Sequence, residues 1–283
     1  MKIYKKIDEI KEESRKLKAT GKFIGFVPTM GFFHEGHLSL VRESVKKTDC
    51  TVVSIFVNPT QFGPREDFKS YPRNLEKDLE TLEKEGIDYV FVPDNKEIYP
   101  EGYRTYVEVH DLQDKLCGES RPGHFRGVCT VVLKFFNIIK PDVSFFGQKD
   151  AQQAIILKKM VRDLNLDIKI EILPIVRDKD GMALSSRNYY LDNDGRKAAL
   201  CLFKSLKSAR EMIMNGEKKA EKIKRRMKEI IQSEPLAKID YIEIVDMDNL
   251  EHMGKIEDEA LVALAAFIGN ARLIDNMIVN VKD

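Results

Sequence analysis

Tryptophan is absent from this 283-residue sequence, cysteine occurs four times, and no stretch has the length and apolarity of a membrane span. Cys50, Cys117, Cys129 and Cys201 are too scattered for the close pairs of a zinc site and too few for a secreted disulfide scaffold. They read as reduced thiols, mostly in the core. An excess of either charge is also missing: 47 basic residues against 46 acidic give a net charge of +1, with no electrostatic footprint for nucleic acid or an anionic membrane. Any bound anion must therefore be held locally. The N-terminal "MKIYKKIDEIKEESRKLK" alternates charged and apolar residues without an apolar signal core, so a cytoplasmic protein is expected. Heavy use of Lys and Glu would suit a heat-adapted source.

What is present is enough apolar residue, 43% of the chain, to bury a sizeable core and to divide it into two domains. Through about residue 175, short β-branched and aromatic runs alternate with helical periodicity, the α/β pattern. "KFIGFVP" (22–28) reads as the first strand, followed by a helix from Glu35 or Gly36 with Leu38, Val41 and Val45 inward. "CTVVSIFVNP" (50–59) is apolar throughout and so central in a parallel sheet. A helix at 74–86, started by Asn74 and ended by Gly86, leads to strand 87–93. A buried helix at 125–142 is stopped by Pro141, and strand 143–147, helix 150–164 and strand 167–174 follow. Beyond "RDKDGMALSSRN" (177–188) two charged amphipathic helices, about 193–214 and 217–232, precede three strand-like runs spaced for an antiparallel sheet. The expectation is a Rossmann-like parallel-sheet domain over 1–176 and a smaller α+β domain over 177–283.

Three constellations carry chemistry. "PTMGFFHEGH" leaves the first strand at its carboxyl end, where open parallel sheets bind ligands. Gly36 permits close approach to a helix N-terminus, and His34 and His37 offer hydrogen bonds, with positive charge if protonated, to a phosphate oxyanion. The plainer alternative is the start of a helix carrying surface histidines. Zinc is disfavoured, because nothing elsewhere completes a ligand set. "FFGQKDAQQ" (145–153) repeats the strand-to-helix transition and supplies Lys149 as a cation, Asp150 as a ribose acceptor or a helix cap, and Gln153 one turn on. "DGMALSSRN" (180–188), at the domain junction, has Gly181 to loosen the loop, and Ser185, Ser186 and Arg187 suited to β- and γ-phosphates.

"HEGH" resembles the His-x-Gly-His signature of the nucleotidyltransferase superfamily, and "GMALSSR" resembles its second phosphate loop. "VPTMGFFHEGHLSLV", "SIFVNPTQFGPREDFKSYPR", "GHFRGVCTVV", "FFGQKDAQQ" and "MALSSRN" together resemble, in order and spacing, the pantoate:β-alanine ligase family, densely over 20–190. The departures, Phe32 and Phe33, lie outside the polar set.

The resemblance implies an ATP-dependent, two-step ligation: pantoate and ATP give pantoyl adenylate and pyrophosphate, and β-alanine then gives pantothenate and AMP. It implies catalytic roles for His37, His34 and Lys149. The ATP contacts it implies are the loop Met30, Gly31, Phe32, Phe33, His34, Glu35, Gly36 and His37, the turn Gly147, Gln148, Lys149 and Asp150, the backbone of Val176, and the loop Leu184, Ser185, Ser186 and Arg187. Gln61 and Gln153 would hold pantoate, with Gln61 also near β-alanine; on residues alone, Gln61 could instead cap a turn after Asn58 and Pro59. Mg²⁺ is expected with ATP, bound mainly through phosphate oxygens, and its protein ligand among Asp67, Asp78 and Asp150 is left open. The charged segment 63–73 is expected to act as a lid, and the resemblance implies a homodimer joined through the N-terminal domain, the usual state of the family. Three rivals remain at this point: a nucleotidyltransferase with a phosphate-bearing acceptor, which would want a cationic pocket; a tRNA-charging enzyme, which would want a basic surface; and a non-catalytic nucleotide-binding protein.

Overall fold

The computed structural model describes residues 1–64 and 66–281, so Arg65 of the expected lid lies outside the described residues. The chain begins with a short strand, β1 (Lys2–Tyr4), and a helix, α1 (Ile7–Ala19). The alternation expected from the sequence follows as β2 (Ile24–Thr29), α2 (Glu35–Lys47), β3 (Cys50–Ile55), α3 (Leu75–Lys84) and β4 (Tyr89–Phe91). Two single turns, α4 (Asn95–Ile98) and α5 (Cys117–Ser120), lead to α6 (His124–Ile139), β5 (Val143–Gly147), α7 (Ala151–Asp163) and β6 (Lys169–Leu173). Asn74 starts α3 by accepting the N–H of Lys77 at 3.1 Å. The segment read as the first strand is thus the second. β1 was missed because three residues on a sheet edge, with Ile3 44% exposed, carry too short a pattern to register.

The six strands pair in parallel in the order β1-β4-β3-β2-β5-β6. Strand alternation sends Phe26 and Val52 to one face, against α1, α6 and α7, and Val27 and Val53 to the other, against α2 and α3. Phe135 of α6 meets Phe26, Phe56 and Phe91 edge-on, with ring centroids 5.9–6.1 Å apart. β3 is buried at every residue, as its apolar run requires. On α2 the buried positions are Leu38, Leu40, Val41 and Ser44; Val45 is 39% exposed, because the helical period from Val41 turns Ser44 inward, where its hydroxyl meets that of Thr51 at 2.8 Å.

The order of strands places the functional loops. From β2 the chain moves outward one way through β3 and β4, while β5 and β6 extend the sheet the other way. β2 and β5 are neighbours whose following loops diverge, which makes a crevice at their carboxyl ends.

The C-terminal part contains α8 (Asn193–Ala198), α9 (Leu200–Met214), α10 (Ala220–Gln232) and an antiparallel sheet of β7 (Ala237–Val245), β8 (Glu259–Ile268) and β9 (Ala271–Asn280). The single helix expected over 193–214 is divided at Ala199, where the N–H of Leu202 bonds three residues back. This sheet is buried against its own helices on one face, while Val245, Leu261 and Ala263 join the core of the parallel-sheet part.

Candidate active site

Between β2 and α2 the backbone makes a tight, left-handed passage: Gly31 has φ +77° and Phe32 φ +54°. Asp78, a buried residue of α3, accepts the N–H groups of Phe32 at 2.8 Å and Phe33 at 3.0 Å. A Cβ at residue 31 would lie 2.6 Å from the same carboxylate, so glycine is needed there for space as well as for φ. Burial raises the Asp78 carboxyl above its ordinary value, against the lowering effect of the two N–H groups.

His34 caps α2, its Nδ1 accepting the N–H of Gly36 at 3.1 Å, which leaves Nε2 as the protonated nitrogen. The His34 and His37 rings stack at 4.0 Å, and Phe33 meets His37 edge-on at 5.5 Å. Burial, then the charge of Lys149, pushes His34 down to about 4; burial, then His34 and Lys149, holds His37 well below its usual range. Both imidazoles are therefore neutral at pH 7, so the positive charge they would carry if protonated is not present, and their burial removes the surface-histidine alternative. In that state they can act only as hydrogen-bonding groups, and the cation beside them is Lys149.

The turn after β5 places Lys149 beside these rings. Asn276 of β9 grips this turn, its Nδ2 donating to the carbonyls of Gln148 at 2.9 Å and Lys149 at 3.0 Å. Asp150 makes no side-chain cap to α7 and its side chain is half-exposed, so the helix-cap alternative is not realised.

Arg177 forks onto Asp275 at 2.7 and 2.8 Å and donates to the carbonyl of Gly181 at 3.0 Å, which ties the hairpin over 176–184 to the C-terminal sheet. Gly181, with φ +98°, packs so closely that a Cβ would lie 2.1 Å from the Phe203 ring. It fixes this loop, which corrects the expectation that it loosens it. The hairpin presents Leu184 to Arg187.

These loops line two adjoining spaces. A smaller pocket of about 150 Å³ is walled by Met30, His34, Gly36 and His37 from the first loop, by Gly147, Lys149 and Asp150 from the second, and by Val176 and Leu184–Arg187 from the hairpin. Gly31, Phe32, Phe33, Glu35 and Gln148 do not line it. The first three hold the loop, Glu35 pairs with Arg42 at 2.8 Å, and Gln148 faces Asn276. A larger cavity of about 420 Å³ lies between the two sheets and is lined in part by Gln153, Arg121 and His124. Lys149, Asp150, Ser185 and Arg187 belong to the walls of both.

Gln61 is buried, donating through Nε2 to Met30 Sδ at 3.2 Å and accepting from Asn58 Nδ2 at 3.1 Å. The residue that caps its turn is Asn58, whose Oδ1 accepts from Thr60 and, at 2.8 Å, from the Tyr99 hydroxyl. Arg121, His124 and Asn276 were missed by sequence reasoning, Asn58 was read only as the start of the turn before Gln61, and Asp78 only as a candidate Mg²⁺ ligand, not as the anchor of the first loop. "NPTQF" and "GHFRGV" contain Asn58 and His124; the others come from segments with no local signal.

Among the described residues, no group of three or more His, Cys, Asp or Glu is arranged to hold a metal ion. Asp67 is paired with Arg187 at 2.9 Å, and Asp78 is occupied by backbone N–H groups. Asp150, whose nearest cation is Lys149 at 3.9 Å, is the carboxylate on the pocket wall that fits a hydrated, phosphate-held Mg²⁺. All four cysteines are buried free thiols, as expected.

A parallel sheet with phosphate-suited loops at its switch point, open to a second cavity, defines the class: a nucleotide-dependent enzyme of the Rossmann-like type. The model of the pantoate-beta-alanine ligase family matches residues 2–278. The chain is 58% identical to the pantothenate synthetase of Thermosipho africanus over 99% of its length and 100% of the relative's. It is 55% identical to that of Caldicellulosiruptor bescii over the whole of both chains. A crystal structure of pantothenate synthetase from Thermus thermophilus superposes with a TM-score of 0.93 at 38% identity, covering 98% of this chain and 99% of that one. Pantoate-beta-alanine ligase from Francisella tularensis, crystallised with β-γ ATP and β-alanine, gives 0.81 at 34% identity, covering 100% and 98%. The chain belongs to the pantoate-beta-alanine ligase family, and its activity is the family's ATP-dependent ligation of pantoate to β-alanine through an adenylate.

Proposed function

We propose that the two steps are divided between the two spaces, with ATP in the smaller pocket, pantoate and β-alanine in the larger cavity, and the α-phosphate at the wall they share. The observation that carries this is the shared wall itself: Lys149, Asp150, Ser185 and Arg187 line both spaces. A pantoate carboxylate is already a nucleophile, so the site has to position it and to stabilise charge developing on the phosphate. Lys149 supplies the charge, and the neutral His34 and His37 donate hydrogen bonds that strengthen as the phosphate becomes pentacoordinate. Ser185, Ser186 and Arg187 hold the β- and γ-phosphates. Gln153 and Gln61 orient pantoate; neutral amides leave its carboxylate reactive, where a fork-like Arg pairing would blunt it. Asp150 is the side chain that would stand beside a Mg²⁺ bound with ATP, and the ion would supply charge neutralisation for the departing pyrophosphate.

In this reading residues 1–176 bind the nucleotide and pantoate, and residues 177–283 form the closing half. Asn276 and Arg177 are the points at which the second part grips the first. Segment 63–73 is the lid, with Asp67 engaged by Arg187 and Tyr190 across the opening. We assign the chain to the cytoplasm and to a homodimer joined through the N-terminal part. In support, no helix among the described residues is long and apolar enough to cross a membrane, and Tyr106 stands 46% exposed beside Tyr103. Sedimentation at micromolar concentration tests the dimer. Single-turnover formation of pantoyl adenylate tests the assignment of Lys149: Lys149→Ala should slow it by about 10²–10³-fold, and a wild-type rate would contradict the role.

A further inference from the structure

Two consecutive lid carboxylates occupy the two arginines that face the lid from the walls of the larger cavity. Asp67 forks onto Arg187 at 2.9 and 3.1 Å. Its neighbour Glu66 forks onto Arg121, with one oxygen 3.1 Å from Nε and the other against Nη2. Arg187 also lines the nucleotide pocket, and Arg121 does not. We propose that Arg121 binds the carboxylate of the amino-acid substrate, and that Glu66 occupies its place until that substrate arrives. The inference rests on the reading of the reaction given above.

The cations on the cavity wall can be separated by what holds them. Lys149 and Arg187 belong to the wall shared with the nucleotide. Arg272 is locked to Asp240 of β7 at 2.6 and 3.0 Å and to Ser120 at 3.1 Å, a rigid strand and a helical turn. Arg121 is different, because its counter-ion sits on a loop without strand or α-helix. The rest of its guanidinium is held in place: Nη1 lies 3.0 Å from His124 Nε2, and Nη2 donates to the carbonyl of Gln61 at 3.4 Å. His124 in turn lies 2.8 Å from that carbonyl through Nδ1. Burial and then Arg121 push His124 down to about 3, so it is neutral, donating from Nδ1 to Gln61 and accepting at Nε2 from Arg121. One side of the guanidinium is thus fixed beside Gln61, a residue proposed above to orient pantoate, and the other side presents a bidentate fork.

β-Alanine brings an amine that must reach the acyl carbon and a carboxylate two carbons away that needs a cation. A buried guanidinium without a partner is costly, so the empty site requires a stand-in carboxylate. Exchange of Glu66 for the substrate carboxylate conserves both charge and geometry. It also couples arrival of the second substrate to movement of the lid.

The test uses the full chain with ATP, Mg²⁺ and pantoate. Two quantities are compared: pantoate-dependent pyrophosphate exchange without amine, and steady-state ligation of β-alanine against n-propylamine, which has the same reach but no carboxylate. Arg121→Ala should change exchange by less than about threefold, raise the KM for β-alanine by about 30- to 100-fold and largely abolish the preference over propylamine. Arg121→Lys, which keeps charge without the fork, should fall between. Glu66→Gln, which removes the competing charge, should lower the KM for β-alanine by about three- to tenfold. A fall in exchange that parallels the rise in KM, or a Glu66→Gln enzyme whose KM is unchanged or raised, would overturn the proposal and leave Arg121 a structural residue. Absence of exchange in the unaltered protein would instead defeat the reading of the reaction.

Discussion

The carboxylate of Asp78 lies 2.8 Å from the backbone nitrogen of Phe32, a residue held at φ +54°. Side chains with a Cβ occupy that region at a cost, and the bond from α3 offsets it. The loop that carries His34 and His37 is therefore held in shape by a residue 46 positions downstream of Phe32. Asp78→Ala would leave two N–H groups unpaired, with an expected loss of about 2–4 kcal/mol in denaturant unfolding and about 10²-fold in adenylation. Asp78→Asn, which keeps an acceptor oxygen, should lose less of both. Wild-type adenylation in Asp78→Ala would show that the loop holds itself.

Asn276 makes the corresponding prediction from the C-terminal part. Asn276→Ala removes both hydrogen bonds to the turn bearing Lys149. The KM for ATP should rise and adenylation should slow, each by about tenfold, with a stability loss of about 1–2 kcal/mol. Equilibrium unfolding and single-turnover kinetics measure the two separately. A stability loss with normal kinetics would limit Asn276 to packing.

The histidines set the acid response. His34, His37 and His124 have native values below the ordinary 6.5, so the unfolded chain takes up protons before the folded one does. Their contribution to stability is complete above about pH 6.5 and falls as the pH drops toward the native values. Asp78, raised by burial, acts in the opposite sense. Asp67, Glu97 and Asp246 lie below their ordinary values, and what they contribute is lost only at lower pH still. Urea midpoints should therefore fall between about pH 7.5 and about 5.5, and fall less in His124→Asn. The rate of adenylation should show no inflection near pH 6.5, since neither His34 nor His37 titrates there.

The lid yields a further expectation. Burial alone would lift the Asp67 carboxyl, but the Arg187 hydrogen bonds outweigh it and hold the group below its ordinary value. Asp67→Asn removes the charge from this contact, so limited proteolysis within 63–73 should accelerate by about three- to tenfold, and saturating ATP and pantoate should slow it again. Cleavage indifferent to both changes would argue that the segment does not move.

Much of this site was legible because its chemistry is local in sequence. "HEGH", "GQKD" and "LSSR" each follow a strand, and the adjacency of β2 and β5 brings them together as the parallel-sheet pattern implied. What was illegible depends on tertiary contact. Nothing near Asp78 signals that it reaches back to Phe32, and nothing in "DNMIVN" marks Asn276 as a clamp on Lys149. The charge state of the histidines stayed open for the same reason: their neutrality comes from burial and from Lys149, and spacing reports neither. Gly181 read as a source of freedom because a sequence does not show Phe203 lying against it.

The central claim, that this crevice adenylates pantoate, is tested most directly by exchange of labelled pyrophosphate into ATP with Mg²⁺ and pantoate present and β-alanine left out. The account predicts exchange that requires pantoate, is lost in Lys149→Ala and persists in Arg121→Ala. A folded protein that binds ATP and makes pantothenate, yet shows no exchange without β-alanine, would contradict an adenylate formed before the amine arrives.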